Sequence, residues 1–299
     1  MKVCRFVIAL RTVTAVIVVV LFSKAFVVTS CTIPSTGMEN SLYQGERVLV
    51  NKWSYGLRLP FSTVRWMERP MKKGDVIVFN NPNPTEINTK IYNREIFVGR
   101  CVGAPGDTLM LNDELSIDND RGMSPDSKLL FSYPHEAESS LLPALRKFGI
   151  DERSLVGYQK GNYIRSLSRR EYDLLQQELK GKWNLAPVYE DNMRESRPFM
   201  IPAKGLTVKI HPWNVKLLCN TISRHEGKLA AVRNDILYVN GFPVTSYIFS
   251  KNYCWVVSDN PVNLCDSRLF GLVPDTHWIG RVGSVWFSTR KGRLFSNVR

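Results

Sequence analysis

The sequence is poor in the residues that build metal centres. Among 299 residues it has six cysteines and four histidines, and none of them forms a CxxC pair or a Cys/His cluster with the spacing of zinc ligands. We therefore predict no metal and no cofactor. Cys254 and Cys265 are the closest cysteine pair outside the amino-terminal segment. The two cysteines could form a disulfide or remain buried free thiols, and free thiols are the favoured prediction.

The amino-terminal segment lacks an uninterrupted apolar run of the roughly 20 residues that a membrane-spanning helix needs. Residues 12–23 are the longest unbroken part of an apolar segment that covers residues 6–28. Arg11 and Lys24 lie near its two ends, where long cationic side chains can reach the membrane interfaces. The whole segment would then extend about 35 Å at 1.5 Å per residue. We predict a membrane anchor within residues 1–30.

Basic residues before the apolar segment favour a cytoplasmic amino terminus, which places the rest of the chain on the extracytoplasmic, periplasmic side of the inner membrane. Lys2, Arg5 and Arg11 provide this charge. A cleaved secretory signal has a similar basic start and apolar centre, and Cys31 is a candidate lipidation site. A retained single-pass anchor is the favoured prediction, and all three alternatives export the domain.

A net charge of +13 invites a nucleic-acid interpretation, but no nucleic-acid recognition motif accompanies it. Lysine and arginine are scattered in short clusters, such as 72–73, 169–170 and 290–293. We therefore predict a solvated basic surface and no nucleic-acid partner. The sequence also has no internal repeat and no low-complexity segment, which excludes repeat architectures.

Two parts of the exported chain have strand character, and the residues between them have a different pattern. The segments 47–52, 75–79, 94–102 and 108–112 are rich in β-branched and aromatic residues. Later, 236–244 forms a hairpin pattern around Asn240-Gly241, and 253–257 and 282–287 are further strands. We predict a mainly β core made of residues 31–112 and 228–290, with a basic tail at 291–299.

Residues 113–227 carry helical signals and are predicted to be a partly helical insertion. Ser168 and Glu171 have the spacing of a capping box before a helical apolar stripe. A second helix is predicted to begin at Pro212 and to end at Gly227. Both stripes are interpreted as packing faces.

Three ordered stretches resemble the conserved boxes of the type I signal peptidases. They are 33–52; then 74–79 with 98–107; then 258–260, 266–274 and 280–281. The resemblance covers residues 30–111 and about 230–288. It implies a mainly antiparallel β signal-peptidase-like core after a transmembrane helix, and a membrane-anchored protease that removes signal peptides with a serine nucleophile and a lysine base.

The positions that match the family's two reactive residues are both glycine in this chain. Gly37 stands where the family has its nucleophilic serine, and Gly99, directly before Arg100, stands where it has its lysine. Glycine has no side-chain atom that can attack a carbonyl or accept a proton, and an arginine guanidinium does not deprotonate in proteins. No catalytic residue is therefore intact at the matched positions.

Other positions match the family's supporting residues. The resemblance implies an oxyanion-binding hydroxyl at Ser35, a packing role for Met38, and a structural ion pair between Asp266 and Arg268. Together with Arg100 these residues would support a substrate groove, which can hold an extended peptide by strand addition.

The sequence predicts a pseudoprotease of protein export that binds signal peptides or an active signal peptidase at the lipid bilayer. The enzymatic alternative is an active serine endopeptidase with a displaced nucleophile. Ser35 is its first candidate, and the others are the nucleophiles Thr36 and Ser41 and the bases Lys52 and Lys90. A second alternative is a structural envelope protein that binds no peptide.

Overall fold

The computed structural model describes residues 2–58, 62, 64–86, 89–112, 115, 128–179, 185–188, 196–260, 262 and 265–298. The α-helices in these residues are α1 (Lys2–Phe22), α2 (Glu138–Phe148), α3 (Arg169–Leu179), α4 (Val215–His225) and α5 (Ser267–Phe270). The strands of the first half are β1 (Val28–Thr32), β2 (Arg47–Asn51), β3 (Leu57–Arg58), β4 (Arg65–Trp66), β5 (Val76–Asn80), β6 (Ile96–Gly103), β7 (Thr108–Leu111) and β8 (Lys128–Pro134). The later strands are β9 (Leu155–Gln159), β10 (Asn162–Ser168), β11 (Ala186–Pro187), β12 (Arg197–Met200), β13 (Thr207–Lys209), β14 (Ala230–Arg233), β15 (Ile236–Val239), β16 (Phe242–Val244), β17 (Ser246–Ile248), β18 (Tyr253–Val257), β19 (Val273–Pro274) and β20 (Trp278–Phe287).

An antiparallel sheet of seven strands forms the centre of the molecule, in the order β1-β2-β20-β5-β6-β18-β19. Every residue of β5 and of β18 is buried. Both faces of these strands are covered, so their sequences read as continuous apolar runs in place of an alternating pattern. The prediction of a mainly β, antiparallel core is confirmed.

Apolar clusters cover the faces of this sheet. One cluster contains Phe79 and Val256, and another contains Met38. A third packs Leu218 of α4 against Trp255 of β18. Because β6 and β18 contribute to clusters on both faces, packing fixes the position of the side chains that they carry.

Several local signals in the sequence form as predicted. Ser168 N–H donates to Glu171 Oε2 at 2.7 Å, and Glu171 N–H donates to Ser168 Oγ at 3.2 Å, which completes the capping box of α3. Asn240 and Gly241 have φ angles of 51° and 88°, as the type I′ turn between β15 and β16 requires.

Two predicted starting residues are wrong by three or more positions. Helix α4 begins at Val215 and not at Pro212, because Asn214 Oδ1 accepts the His211 N–H at 2.8 Å and closes residues 211–214 into a turn. Strand β20 begins at Trp278, four residues before the predicted start at 282, and its first residues pair with β5.

The segment predicted as a partly helical insertion contains helices and also a sheet that was not predicted. Strands β11, β8, β10 and β9 pair in that order, and α2 and α3 pack on them around Leu141, Leu167 and Leu175. After residue 196 the chain returns to the core, where β12 pairs with β7.

The sheet of the insertion escapes a periodicity search because polar residues occupy its buried positions. Arg165 is 1% exposed, its Nη2 lies 2.5 Å from Glu138 Oε1, and its Nε donates to Tyr133 Oη at 2.7 Å. Lys128 at the start of β8 is also buried. Buried charges with such partners interrupt the apolar alternation by which a strand is recognised.

The amino-terminal helix α1 exposes its apolar side chains. Val16, Ile17, Val18, Val19, Val20 and Leu21 are all exposed. Among the residues that the structure describes, no helix meets the length and hydropathy expected of a membrane span. A π-helical turn, Ser23–Val27, connects α1 to β1.

We predict that Gly280→Ala destabilises the fold whereas Gly283→Ala on the same strand does not. A Cβ at position 280 would lie 2.9 Å from the backbone carbon of Asn51, and closer still to its oxygen. At position 283 the nearest atom would be Leu49 O at 3.6 Å, an ordinary contact. Urea unfolding should show a loss of about 2 kcal/mol for Gly280→Ala, because the β2–β20 pairing must shift. An equal effect at both positions would contradict this explanation.

Two buried histidines meet where α4 approaches β20. The rings of His225 and His277 are 5.4 Å apart. His277 Nε2 lies 3.0 Å from Arg94 Nη1, and since arginine is a donor only, this nitrogen must accept, which requires the neutral ring. Burial is the main cause that lowers the pKa of His277 to about 2 and that of His225 to about 3, and nearby cationic side chains make smaller contributions to the same shifts.

This pair predicts a pH dependence of stability. An unfolded histidine takes up its proton near pH 6.5, whereas the folded pair stays neutral down to about pH 3. The stabilisation is therefore complete above pH 6.5 and is lost as the pH falls toward 3, by up to about 1.4 kcal/mol per pH unit for each histidine. The unfolding free energy of His277→Gln should fall less steeply over this range than that of the unmodified chain. His211→Gln, at an exposed position, is the control and should keep the original slope.

Candidate active site

The turn that carries Gly37 follows directly from the edge strand of the central sheet. Thr36–Met38 form one 3₁₀ turn after β1, and Ser35 caps it with extended backbone angles, φ −143° and ψ 175°. Ser35 Oγ accepts the Gly37 N–H at 3.4 Å. Met38 is 2% exposed and packs with Ile33 and Leu42. The buried methionine fixes one side of the turn to the core.

The segment that follows β18 holds the other side of the turn. Asn260 N–H donates to Gly37 O at 2.9 Å, and Asn260 Nδ2 donates to Thr36 O at 3.2 Å. Asn260 is 4% exposed. A buried amide with both of these partners fixes the position of Gly37 relative to the end of β18.

Arg100 lies beneath the turn in a buried ion pair. Its Nε and Nη2 donate to the two carboxylate oxygens of Asp259 at 2.8 and 2.7 Å. Arg100 Nη2 also donates to Ser41 Oγ at 3.0 Å, and Nη1 donates to Gly74 O at 3.0 Å. Ser41 Oγ in turn donates to Asp259 at 2.5 Å. The contact between Arg100 and Asp259 is planar and bidentate. Together with the bonds of Ser41, it joins β6, the turn region and the segment after β18.

The predicted ion pair between Asp266 and Arg268 forms at the same end of β18. Arg268 Nη2 lies 2.6 Å from Asp266 Oδ2. Asp266 is fully buried, and its carboxylate also accepts the N–H of Ser258 at 2.9 Å and that of Arg268 at 3.0 Å. The Asp266 carboxylate thus holds Ser258, the residue that follows β18 and lies two positions before Asn260.

Gly99 lies in β6 opposite Ile77, on the strand face that packs against apolar side chains. A Cβ at this position would lie 3.4 Å from Val256 Cβ and 3.7 Å from Phe79 Cε1. Phe97 and Phe270 pack against the same cluster. A lysine here would enter apolar surroundings, and desolvation lowers the pKa of a buried amine.

Neither glycine is required by the backbone. Gly37 and Gly99 are absent from the residues with positive φ among those that the structure describes, so both conformations are open to other residues. The contacts around Gly99 are of ordinary length for a Cβ. Side chains are therefore missing at these positions without a conformational reason.

The structure does not bring together the residues considered as replacements for the family's serine nucleophile and lysine base. Within the described part of the chain, the Ser35 hydroxyl has its hydrogen bond with the Gly37 N–H and none with an amine. Ser41 is held in the network of Arg100. Lys52 begins the turn after β2, and Lys90 lies over the Tyr92 ring at 6.0 Å. No described contact joins one of these hydroxyls to one of these amines.

Sequence reasoning missed a lysine that approaches the turn from the insertion. Lys128 Nζ lies 3.0 Å from Glu39 Oε2, and its backbone N–H donates to Asp259 O at 2.8 Å. Lys128 and Glu39 border a cavity of about 240 Å³, together with Thr36 and Asn260. Lys128 follows no local motif, and it reaches the site only because β8 packs beside it. Its amine is ion-paired with a carboxylate and contacts no hydroxyl among the residues that the structure describes.

Among the described residues, no three Cys, His, Asp or Glu side chains converge as metal ligands. The arrangement provides a positioned turn, a buried support and an apolar wall at Gly99. It provides neither an attacking oxygen nor a proton acceptor at the two matched positions.

Comparison with known proteins agrees with the resemblance in the sequence. The profile of the family described as "Signal peptidase, peptidase S26" matches residues 6–165, more than half of the chain. Signal peptidase I of Buchnera aphidicola subsp. Baizongia pistaciae is 26% identical over 277 residues, which cover 91% of this chain and 73% of that protein. Signal peptidase I of Buchnera aphidicola subsp. Schizaphis graminum is 24% identical over 91% of this chain and 72% of its own length. Signal peptidase I of Pseudomonas fluorescens is 34% identical over 128 residues, 42% of each chain.

We predict that Arg100→Met strongly destabilises the fold, because it leaves the Asp259 carboxylate buried without its partner. Breaking one side of a buried pair costs about 3–5 kcal/mol. Arg281→Met is the matched control: Arg281 Nη1 lies 3.5 Å from Asp75 Oδ1 and its side chain is 50% exposed. Its loss should cost less than about 1 kcal/mol. Chemical denaturation of both variants measures the difference, and equal costs would show that the Arg100 network does not support the core.

Proposed function

The chain belongs to the signal peptidase family, peptidase S26, and we propose that it is a member that has lost proteolysis and acts as a binding or regulatory subunit in protein export. Family membership gives it a role related to that of signal peptidases, whose substrates are the signal peptides of exported proteins. The proposed partners are such signal peptides or an active signal peptidase.

One observation supports the proposal: specific contacts hold the described part of the site in place, while both positions matched to reactive side chains are glycine. The turn at Gly37 is held by Asn260 and Met38, and Arg100 keeps its buried carboxylate. A serine needs a neighbouring base to become a nucleophile, and here the serine and the lysine are both glycine. In measured triads, loss of the nucleophile alone lowers turnover on the order of a millionfold.

Peptide binding is supported by the position of β1. This strand lies at one edge of the central sheet, where its second edge is unpaired among the described strands, and it leads directly into Ser35 and Gly37. An extended peptide can add to such an edge through main-chain hydrogen bonds. The peptide would then pass the turn at which the family cleaves its substrates.

A membrane tether is the second part of the proposal. Helix α1 exposes apolar side chains at every position from 16 to 21, so no described element covers any of its faces there. An isolated helix that is apolar all round is stable in lipid and not in water. With Lys2, Arg5 and Arg11 on the cytoplasmic side, the β domain lies outside the cytoplasm.

Two rival functions make different claims about the same site. An active endopeptidase would use a displaced nucleophile, with Ser35 as its first candidate, and would cleave without any added side chain. A structural envelope protein would neither cleave nor bind a signal peptide. Crosslinking a signal peptide to the unmodified chain separates the binding subunit from the structural protein.

We predict that Gly37→Ser combined with Gly99→Lys restores cleavage of a preprotein that bears an Ala-x-Ala site. The serine would lie in a turn that is already positioned, and the lysine would lie beside Phe79 and Val256, whose apolar contacts favour the neutral amine. Turnover should rise on the order of a hundredfold or more above that of the unmodified chain. The assay follows release of the mature protein by gel electrophoresis.

Gly37→Ala combined with Gly99→Lys is the matched control, because it adds the same base and nearly the same volume without an attacking oxygen. It should remain inactive. A restored variant that folds like the unmodified chain but cleaves nothing would show that the groove is lost and would overturn the binding proposal. Cleavage by the unmodified chain that disappears in Ser35→Ala would establish the active endopeptidase instead.

A further inference from the structure

One face of the sheet in the insertion is not covered by the helices of the insertion. Strand β10 pairs with β8 and with β9, and successive side chains of a strand point to opposite faces. Phe131, Tyr133 and Leu167 lie on the face that α2 and α3 cover. Leu130 and Ile164 lie on the opposite face, where they are half-buried and belong to none of the apolar clusters of the described residues. We call this second face the open face.

A cavity lies at each end of the open face. The near cavity is the one of about 240 Å³ beside the turn that carries Gly37, and the far cavity has a volume of about 390 Å³. The residues that line the far cavity include Ser132, Gln159, Lys160, Asn162, Ile164 and Pro187. Ser166 borders the near cavity and Asn162 the far one, and both lie on β10. Their separation along the strand is about 13 Å at roughly 3.3 Å per residue.

Gly157 forms the floor between the two cavities. It lies on β9 opposite Ile164, and hence on the open face. Gly157 is absent from the described residues with positive φ, and a Cβ there would meet no atom within 4 Å. Neither the backbone conformation nor the packing of the described residues therefore requires a glycine at this position. A glycine inside a strand often marks a place where a ligand or another backbone approaches closely.

A β-bulge at the start of β9 contributes to the near cavity. Gly157 pairs with Ile164 and Leu155 pairs with Arg165, so Val156 has no partner on β10. Bulges change the direction of side chains and are common next to functional sites. Val156 is 40% exposed and borders the near cavity together with Leu155. The bulge thus adds two apolar side chains to a lining that is otherwise largely polar.

Hydrogen bonds fix the open face relative to Gly37. Ser166 Oγ donates to Asn260 Oδ1 at 3.2 Å, and Asn260 itself holds the main-chain oxygens of Thr36 and Gly37. The N–H of Lys128 donates to the main chain of the segment after β18 at 2.8 Å. Thr36 also borders the near cavity. The near cavity is thus the next surface for a peptide that passes the turn from β1.

The lining of the two cavities indicates which part of a preprotein fits them. Side-chain hydroxyls and amides line both, with Ser166 and Asn260 in the near cavity and Ser132, Gln159 and Asn162 in the far one. These groups donate and accept hydrogen bonds as a peptide main chain requires, whatever its side chains. The centre of a signal peptide is an apolar run, which would cover these polar groups without satisfying them. Polarity and position both favour the segment that follows the signal peptide.

We propose that the open face holds the extended segment that follows the signal peptide in an exported protein. The proposal rests on the proposed function, in which the signal peptide itself lies along β1. A segment of about four extended residues spans the distance between the two cavities, and it passes over Gly157. The chain then holds a preprotein on both sides of the position that the family cleaves. A second copy of this chain is the competing occupant of the open face.

The test places the photocrosslinker benzoylphenylalanine at single positions of the full chain in detergent solution. Gln159 in the far cavity reports on the open face, and Thr32, which is exposed on β1, reports on the signal peptide. Tyr158 is the matched control position. It neighbours Gln159 on β9 and is 61% exposed, but its ring packs 5.6 Å from that of Tyr163 on the other face of the sheet.

Two synthetic peptides distinguish the signal peptide from the segment that follows it. One ends at its Ala-x-Ala site, and the other continues for about ten residues of the mature protein, which is enough to pass both cavities. Position 32 should crosslink both peptides. Position 159 should crosslink the extended peptide at least about tenfold more than the short one, because the short one does not reach the far cavity. Position 158 should crosslink neither.

Gly157→Trp tests the path between the cavities. The added ring would occupy the open space at Gly157. Crosslinking of the extended peptide at position 159 should therefore fall at least about fivefold, while crosslinking at position 32 is kept. Tyr158→Trp places the same ring on the other face of β9 and should leave crosslinking at both positions unchanged. Urea unfolding of the two variants checks that both keep the fold.

The outcomes separate this inference from the proposed function. Crosslinking of the extended peptide at position 32 without crosslinking at 159 overturns the inference and leaves the proposed function. Absence of crosslinking at both positions overturns both. Equal crosslinking of the short and the extended peptide at 159 would contradict the assignment to the following segment. Crosslinked dimers of the chain at position 159 in the absence of peptide would assign the open face to a second copy and overturn the inference.

Discussion

The buried pair of Arg100 and Asp259 is the contact on which the geometry of the site depends. Removing both charges from water is costly, and the cost is offset only when the geometry is good and the remaining donors find acceptors. Here the guanidinium uses Asp259, Ser41 and the carbonyl oxygen of Gly74. Because these partners come from the turn region, from the segment before β5 and from the segment after β18, the pair joins parts of the chain that no local interaction would bring together.

This support does not depend on the reactive side chains. Arg100 and Gly99 are neighbours in β6 but point to opposite faces of the sheet, so the network lies on one face and the missing amine on the other. Gly37 is held through its main-chain oxygen by Asn260, and a main-chain contact is the same for serine and for glycine. The shape of the site therefore does not depend on the two reactive side chains, which is the physical basis for the binding role proposed above.

The sequence predicted those parts of the fold that local patterns determine. The apolar strands β5 and β18, the Asn240-Gly241 turn and the capping box of α3 follow from the side chains at those positions. The partner of Arg100 could not be predicted in this way, because Asp259 is 159 residues distant. The sheet of the insertion was missed for a related reason: its buried Lys128 and Arg165 find carboxylates on other elements, and a periodicity search scores both as exposed.

Buried arginines have different partners at the candidate site and at the hairpin formed by β3 and β4. Arg100 meets a side-chain carboxylate, and the charge is neutralised within the core. Arg58 and Arg65 meet main-chain carbonyl oxygens, which carry no net charge. With the arginines turned inward, Val64 and Trp66 are exposed on the other face of this two-stranded hairpin. In water this arrangement costs free energy in two ways, because the guanidiniums are desolvated and the apolar side chains are hydrated. The hydrogen bonds to the main-chain oxygens of Asp275 and Trp278 offset part of the first cost.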